Sequence, residues 1–138
     1  HQKVLEVLEF LEILELKDKK VHQMSTGQLR RCIIGRTLIH DPKAFILDEP
    51  TVGLDIKSQH SFIKLIQKLS KSASIIIVTH HIEEIFEEIT HVALIHNKTI
   101  FKQGKKEDIL TSKNLSEIFE IDIDLQKENE RYYIKSIK

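Results

Sequence analysis

The chain has 138 residues, enough for a domain with a real core, and its 21 Lys and Arg balance its 21 Asp and Glu to a formal charge of zero. That balance argues against a strongly basic nucleic-acid surface. A single cysteine, Cys32, excludes an internal disulfide and suits a reducing compartment. No apolar run reaches membrane-spanning length, the longest near the centre being IIIV at 75–78.

In chain order, the opening stretch HQKVLEVLEFLEILELKDKK sets Val4, Leu5, Leu8, Leu11 and Leu14 or Leu16 among glutamates. This spacing predicts an amphipathic helix ended by the polar KDKK. STGQ at 25–28 has the form of a capping box, with Ser25 as N-cap and Gln28 three residues on. The helix it starts is expected to run through LRRCIIGRTLIH and to stop at Asp41-Pro42. KAFILD reads as a short buried strand. Asp55 is placed to cap a helix whose apolar face is Phe62, Ile63, Ile66 and Leu69.

SIIIVTH at 74–80 is continuously apolar and β-branched, the pattern of a strand covered on both faces. HIEEIFEEI predicts another helix and HVALIH another strand, with a tight turn at Asn97-Lys98 leading into TIFKQG. KKEDIL and NLSEIFE read as short helices, and IDIDLQ, KENE and RYYIKSI as a hairpin. Alternating helices and strands predict an α/β fold with a mainly parallel sheet.

In an open α/β sheet, ligands bind beyond the carboxyl ends of the strands. FIL ends in Asp48 and Glu49, and IIIVT ends in His80. If these strands are parallel, all three groups emerge on one rim. Consecutive residues point in different directions, so the two acids can divide two roles: one holds Mg²⁺ through water, the other accepts a proton from an attacking water. The second role is worth about 10²–10⁴ in rate. A lone strand-end Asp would more often cap a turn.

The order MSTGQ, ILDEP, TVGLD and VTHH closely resembles part of an ABC-type ATPase, from about residue 4 to about 110. MSTGQ at 24–28 matches the signature motif, ILDEP at 46–50 the Walker B segment, GLD at 53–55 the D-loop, and His80 the switch histidine. Four motifs in order are far more specific than any one. THHIEEI and the LTSKNLSEIF tail look most like the branch near molybdate-type transport ATPases.

The resemblance implies residues 1–110 as the C-terminal portion of the ATPase domain. Residues 1–40 would end the helical subdomain and carry the signature helix, and 41–110 would run from Walker B past the switch; 111–138 would be an extension. It also implies that Asp48 holds Mg²⁺, that Glu49 is the general base and that His80 contacts the γ-phosphate. Asp55 would link the two sites of a dimer. Ser25, Thr26, Gly27 and Gln28 would close over ATP bound to the other subunit. A helix start with unsatisfied amides and a glycine suits that anion, whether or not Ser25 and Gln28 also cap the helix. Thr26 departs from the family's usual Gly, which narrows the approach there.

The phosphate-cradling G-x-x-x-x-G-K-[ST] is not among these residues. Gly104-Lys105 is a decoy, with Thr99 at the first Gly position and Lys106 where Ser or Thr is needed. The family's glutamine loop and adenine-stacking aromatic are missing too. With His1 in place of Met, the chain is expected to be a fragment lacking the P-loop strand and inactive alone. In this family that strand lies between those resembling IIIVT and VALI, so two apolar edges should face a gap.

The implied function is an ATP-hydrolysing subunit of an ABC transporter, with ATP and Mg as cofactors. It would be cytoplasmic, peripheral at the inner membrane face, paired with a second ATPase subunit and membrane permeases. A soluble ABC ATPase acting on nucleic acid or ribosomes, or a non-catalytic interaction fragment, are the alternatives. Cys32 is expected in the core of the signature helix. Arg30 or Arg31 would add positive potential or pair with acids, and Tyr132 and Tyr133 are expected to pack ordinarily. The eight histidines show no metal spacing, so a zinc site is not expected.

Overall fold

A computed structural model describes residues 2–138, so His1, which opens the first expected helix, lies outside the described residues. The chain divides into two compact units, residues 1–79 and 80–138.

The first unit opens with α1 (Gln2–Phe10), shorter than the amphipathic spacing predicts. The helix ends in a Schellman arrangement. Glu12 takes a left-handed φ of 57°, the Ile13 amide donates to the Leu8 carbonyl at 2.9 Å, and the Glu12 amide donates to Glu9 at 2.9 Å. Leu11 and Ile13 are both fully or nearly fully buried. Residues two apart cannot share one helical face, so the chain turns here to bury both.

After two 3-10 turns, α2 (Thr26–Leu38) begins at Ser25 and ends three residues before Asp41-Pro42, as the caps predict. β1 (Ala44–Asp48) follows, then α3 (Ile56–Ser70), which buries Phe62, Leu65, Ile66 and Leu69. Ile63 is only half-buried, and Leu65 takes its place on the inner face. Each fully buried side chain of this kind contributes about 1.5–3 kcal/mol. β2 (Ser74–Val78) pairs in parallel with β1, in a register that sets Phe45 beside Ile75 and Asp48 beside Val78.

Neither strand is as covered as its composition predicts. Phe45 is buried, but Ile46 is 72% exposed and Ile76 53% exposed. Among the described residues this sheet has two strands, so one apolar face stays open where continuous β-branched runs normally meet a second layer. Among the described residues, β2 has β1 as its strand neighbour.

In the second unit the helix expected over HIEEIFEEI is a single 3-10 turn, Ile82–Glu84. Burial alternates there: Ile82, Glu84 and Phe86 are inside while Glu83 and Glu87 are outside. The buried Lys106 ammonium donates to the carbonyls of Phe86 (3.2 Å) and Glu87 (2.9 Å), replacing the donors a helix would supply.

β3 (His91–His96) and β4 (Thr99–Lys105) form an antiparallel hairpin. Its turn residues Asn97 and Lys98 have φ of 48° and 63°, as a tight two-residue turn requires. Then come α4 (Lys106–Ile109), α5 (Ser112–Phe119), β5 (Ile123–Glu128) and β6 (Arg131–Ile137), the last two a second antiparallel hairpin. Among the described residues parallel pairing is therefore confined to β1 and β2, and the other two sheets are antiparallel, where a mainly parallel sheet is expected.

Residues past 110 contribute to the apolar cluster of the second unit. Leu115, Ile123 and Tyr132 share one apolar cluster with Ile82, Leu94, Ile109 and Leu110. Tyr132 packs into it, whereas Tyr133 stays at the surface.

Candidate functional site

The start of α2 is built by the capping box read from STGQ. Ser25 Oγ accepts from the Gln28 amide at 3.3 Å, and Gln28 Oε1 accepts from the Ser25 amide at 3.0 Å. Two helix-end donors are satisfied. Thr26, the first helical residue, is exposed. A β-carbon built on Gly27 would meet only Leu54 Cδ2 at 3.7 Å and Ser58 at 3.9 Å, ordinary contacts. The fold itself therefore has room for a side chain at Gly27, and its lack of one leaves the helix start open to an approaching group.

Ser25, Gly27 and Gln28 line an open cavity of about 490 Å³ together with Glu12, Arg31 and Asp55. Ser25, Gly27, Gln28 and Asp55 thus meet within the first unit. Asp55 caps α3, and its carboxyl is held below the usual range chiefly by the hydrogen bond from the Ser58 amide, then by that from the Ser58 hydroxyl.

Cys32 is half-buried rather than in the core, its sulfur 3.6 Å from that of Met24, and burial pushes its thiol pKa up. Arg31 donates to the Leu11 carbonyl at 2.6 Å and lies 3.7 Å from Glu12.

Asp48 and Glu49 stand at the carboxyl end of β1, where parallel pairing with β2 ends at Val78. Asp48 is exposed; Glu49 is half-buried, with φ of 45° and its amide donating to the Val78 carbonyl at 2.8 Å. The left-handed twist turns the chain sharply off the strand, so the two carboxylates leave it in different directions. Beyond them the backbone makes a compact turn, with the Val52 amide on the Glu49 carbonyl at 3.3 Å and the Leu54 amide on Thr51 at 3.1 Å. Gly53, with φ of 78°, takes a conformation that favours glycine.

The reading of the motifs left Arg30 with a general electrostatic part. The fold gives it a specific one: its two terminal nitrogens donate to the carbonyls of Pro50 and Val52, in the turn after Glu49. No local sequence signal marks this, because donor and acceptors lie about twenty residues apart.

His80 opens the second unit, exposed, its ring centroid 4.0 Å from that of His81 at a tilt of 37°. No helix of the described residues is long and apolar enough to cross a membrane.

A family model described as ABC transporter matches residues 1–52. The energy-coupling factor transporter ATP-binding protein EcfA2 of Bacillus cereus is 34% identical over 105 residues, 75% of this chain and 35% of its own length. Among solved structures, cbiO1 from Clostridium perfringens, part of the ABC transporter complex cbiONQ, is 32% identical with a TM-score of 0.72, over 84% of this chain and 47% of that one. The ADP conformation of MJ1267, an ATP-binding cassette of an ABC transporter, is 28% identical with a TM-score of 0.75, over 86% and 48%. The chain spans about half or less of the length of each. By sequence and by fold, the chain is similar to the ABC transporter ATP-binding proteins.

Proposed function

We propose that these residues are the C-terminal portion of an ATP-hydrolysing subunit of an ABC transporter. The observation that carries this is the meeting of the capped signature start, open at Gly27, with Asp55 around one cavity, in the same unit as the Asp48–Glu49 strand end. Helix-start amides at residues 26 and 27 suit a terminal phosphate, and nothing comes closer than 3.7 Å to a β-carbon built on Gly27. In the assembled subunit these amides, with Ser25 and Gln28, would face ATP held by a second subunit, and Asp55 would lie at that junction.

Asp48, exposed at the strand end, would hold Mg²⁺, which supplies charge neutralisation for the phosphates. Glu49 would accept the proton of the attacking water, and His80 would contact the terminal phosphate. A second ATPase subunit and membrane permeases at the inner membrane face would be its setting; the names of the relatives support the transporter part of this, EcfA2 being named for an energy-coupling factor transporter and cbiO1 being part of the ABC transporter complex cbiONQ. Neither name bears on the molybdate-type branch.

The test is Glu49→Gln in the intact subunit. Loss of hydrolysis with ATP binding retained is expected; full turnover would overturn the reading. The 138-residue chain, which contains no G-x-x-x-x-G-K-[ST], is expected to bind Mg-ATP weakly or not at all by calorimetry.

A further inference from the structure

The turn that follows Glu49 poses a problem of backbone accounting. Four consecutive carbonyls, those of residues 49 to 52, leave the end of β1, with Pro50 and Thr51 buried. Buried backbone acceptors need donors. Among the described residues the turn itself supplies two of them, the Val52 amide to Glu49 and the Leu54 amide to Thr51. Pro50 has no amide to give. The remaining two acceptors, Pro50 and Val52, are both taken by the guanidinium of Arg30. A planar fork spans two carbonyls two residues apart, which the single ammonium of a lysine would not do in the same way.

The same turn holds Glu49 at φ of 45°, a region that residues with side chains seldom occupy and that persists only when the surroundings over-determine it. One support is the Glu49 amide on the Val78 carbonyl at 2.8 Å. The other comes from the far side of the turn, through Arg30. Arg30 sits two residues after Gln28 on α2, so the fork joins the signature helix directly to the turn that aims Glu49.

We infer that Arg30 is a positioning residue that fixes the Glu49 carboxylate by clamping the carbonyls of Pro50 and Val52 to the signature helix. The inference rests on Glu49 being the general base. Arg30 touches no reacting atom. It acts by keeping the turn in the one conformation that presents the carboxylate, and it makes any movement of α2 a movement of that turn.

Two measurements test this, on Arg30→Gln and Arg30→Lys. In the 138-residue chain, hydrogen exchange at the Val52 and Leu54 amides should quicken in Arg30→Gln, and less in Arg30→Lys, while exchange within α3 is unchanged. In the intact subunit, kcat should fall about ten- to a hundredfold in Arg30→Gln, with KM for ATP unchanged, and recover in part in Arg30→Lys. Unchanged exchange at Val52 and Leu54 overturns the clamp. Faster exchange with unchanged kcat overturns the positioning role and leaves a purely structural tie. Glu49→Gln in the same subunit separates the two ideas: if it keeps turnover, the base assignment itself has failed, whatever exchange shows. Should Arg30→Gln fail to fold, Arg30→Lys gives the same comparison at smaller amplitude.

Discussion

The carboxylate of Asp55 accepts two hydrogen bonds from one residue, Ser58, at 2.8 Å from its amide and 2.8 Å from its hydroxyl. Both oxygens of the acid are therefore engaged in starting α3. Within this chain Asp55 is a helix cap, and any other contact made by its carboxylate has to share or displace those bonds. Asp55→Ala is expected to lower the unfolding midpoint and to speed exchange at the Ser58 amide, whereas Asp55→Asn, which still accepts, should do so much less.

Acid should weaken the first unit. The carboxyls of Glu12, Asp41 and Asp55 are all held below their usual range, by the Lys68, Lys3 and Ser58 hydrogen bonds respectively. A carboxyl whose folded pKa is depressed adds stability above its unfolded value, about 4, and loses it as pH falls through the folded value. Urea midpoints should therefore hold steady from neutral pH to about 5 and fall below about 4. In Asp55→Asn the fall should be shallower.

Glu12 lies between two cations, 3.0 Å from Lys68 and 3.7 Å from Arg31, and is largely exposed. Solvent screening limits such a pair to about 0.2–1 kcal/mol. A double-mutant cycle of Glu12→Gln with Lys68→Met should return a coupling in that range that shrinks in high salt.

Two glycines of α2 should respond oppositely to alanine. At Gly35 a β-carbon would sit 2.8 Å from Leu11 Cδ1, whose side chain is fully buried, and 3.4 Å from Val7. Overpacking of about 1–3 kcal/mol should outweigh the roughly 1 kcal/mol that alanine adds in a helix, so Gly35→Ala unfolds at lower urea. Gly27→Ala meets nothing closer than 3.7 Å and should keep or slightly raise the midpoint. In the intact subunit Gly27→Ala should nonetheless slow turnover, which separates the site from the scaffold.

The β3–β4 turn carries Lys98 at φ of 63°. A left-handed non-glycine costs about 1–2 kcal/mol, against about 0.5–1 kcal/mol of extra chain entropy for glycine. Lys98→Gly should therefore raise the unfolding midpoint of the second unit slightly, read by urea titration.

What could be read from the sequence was local chemistry. The Ser25–Gln28 box, the stop before Asp41-Pro42, the Asp55 cap and the Asn97-Lys98 turn each depend on residues within four positions of one another, and each formed. The motif order led to the family for the same reason: its signals are short and contiguous. Tertiary structure decided whatever depended on a distant partner. HIEEIFEEI has helical spacing, but Lys106, about twenty residues on, takes its carbonyls, and the segment turns instead. The opening helix ends at Phe10, with the chain turning at Glu12, because Leu11 and Ile13 must both be buried. The strands rich in Ile lie open because a strand's cover is supplied by other elements, which its own composition does not specify. Arg30 acquired its place from two carbonyls brought near only by packing α2 beside the turn after β1. Propensities and caps are settled within a turn of chain; burial and long-range donors are settled only when distant segments meet.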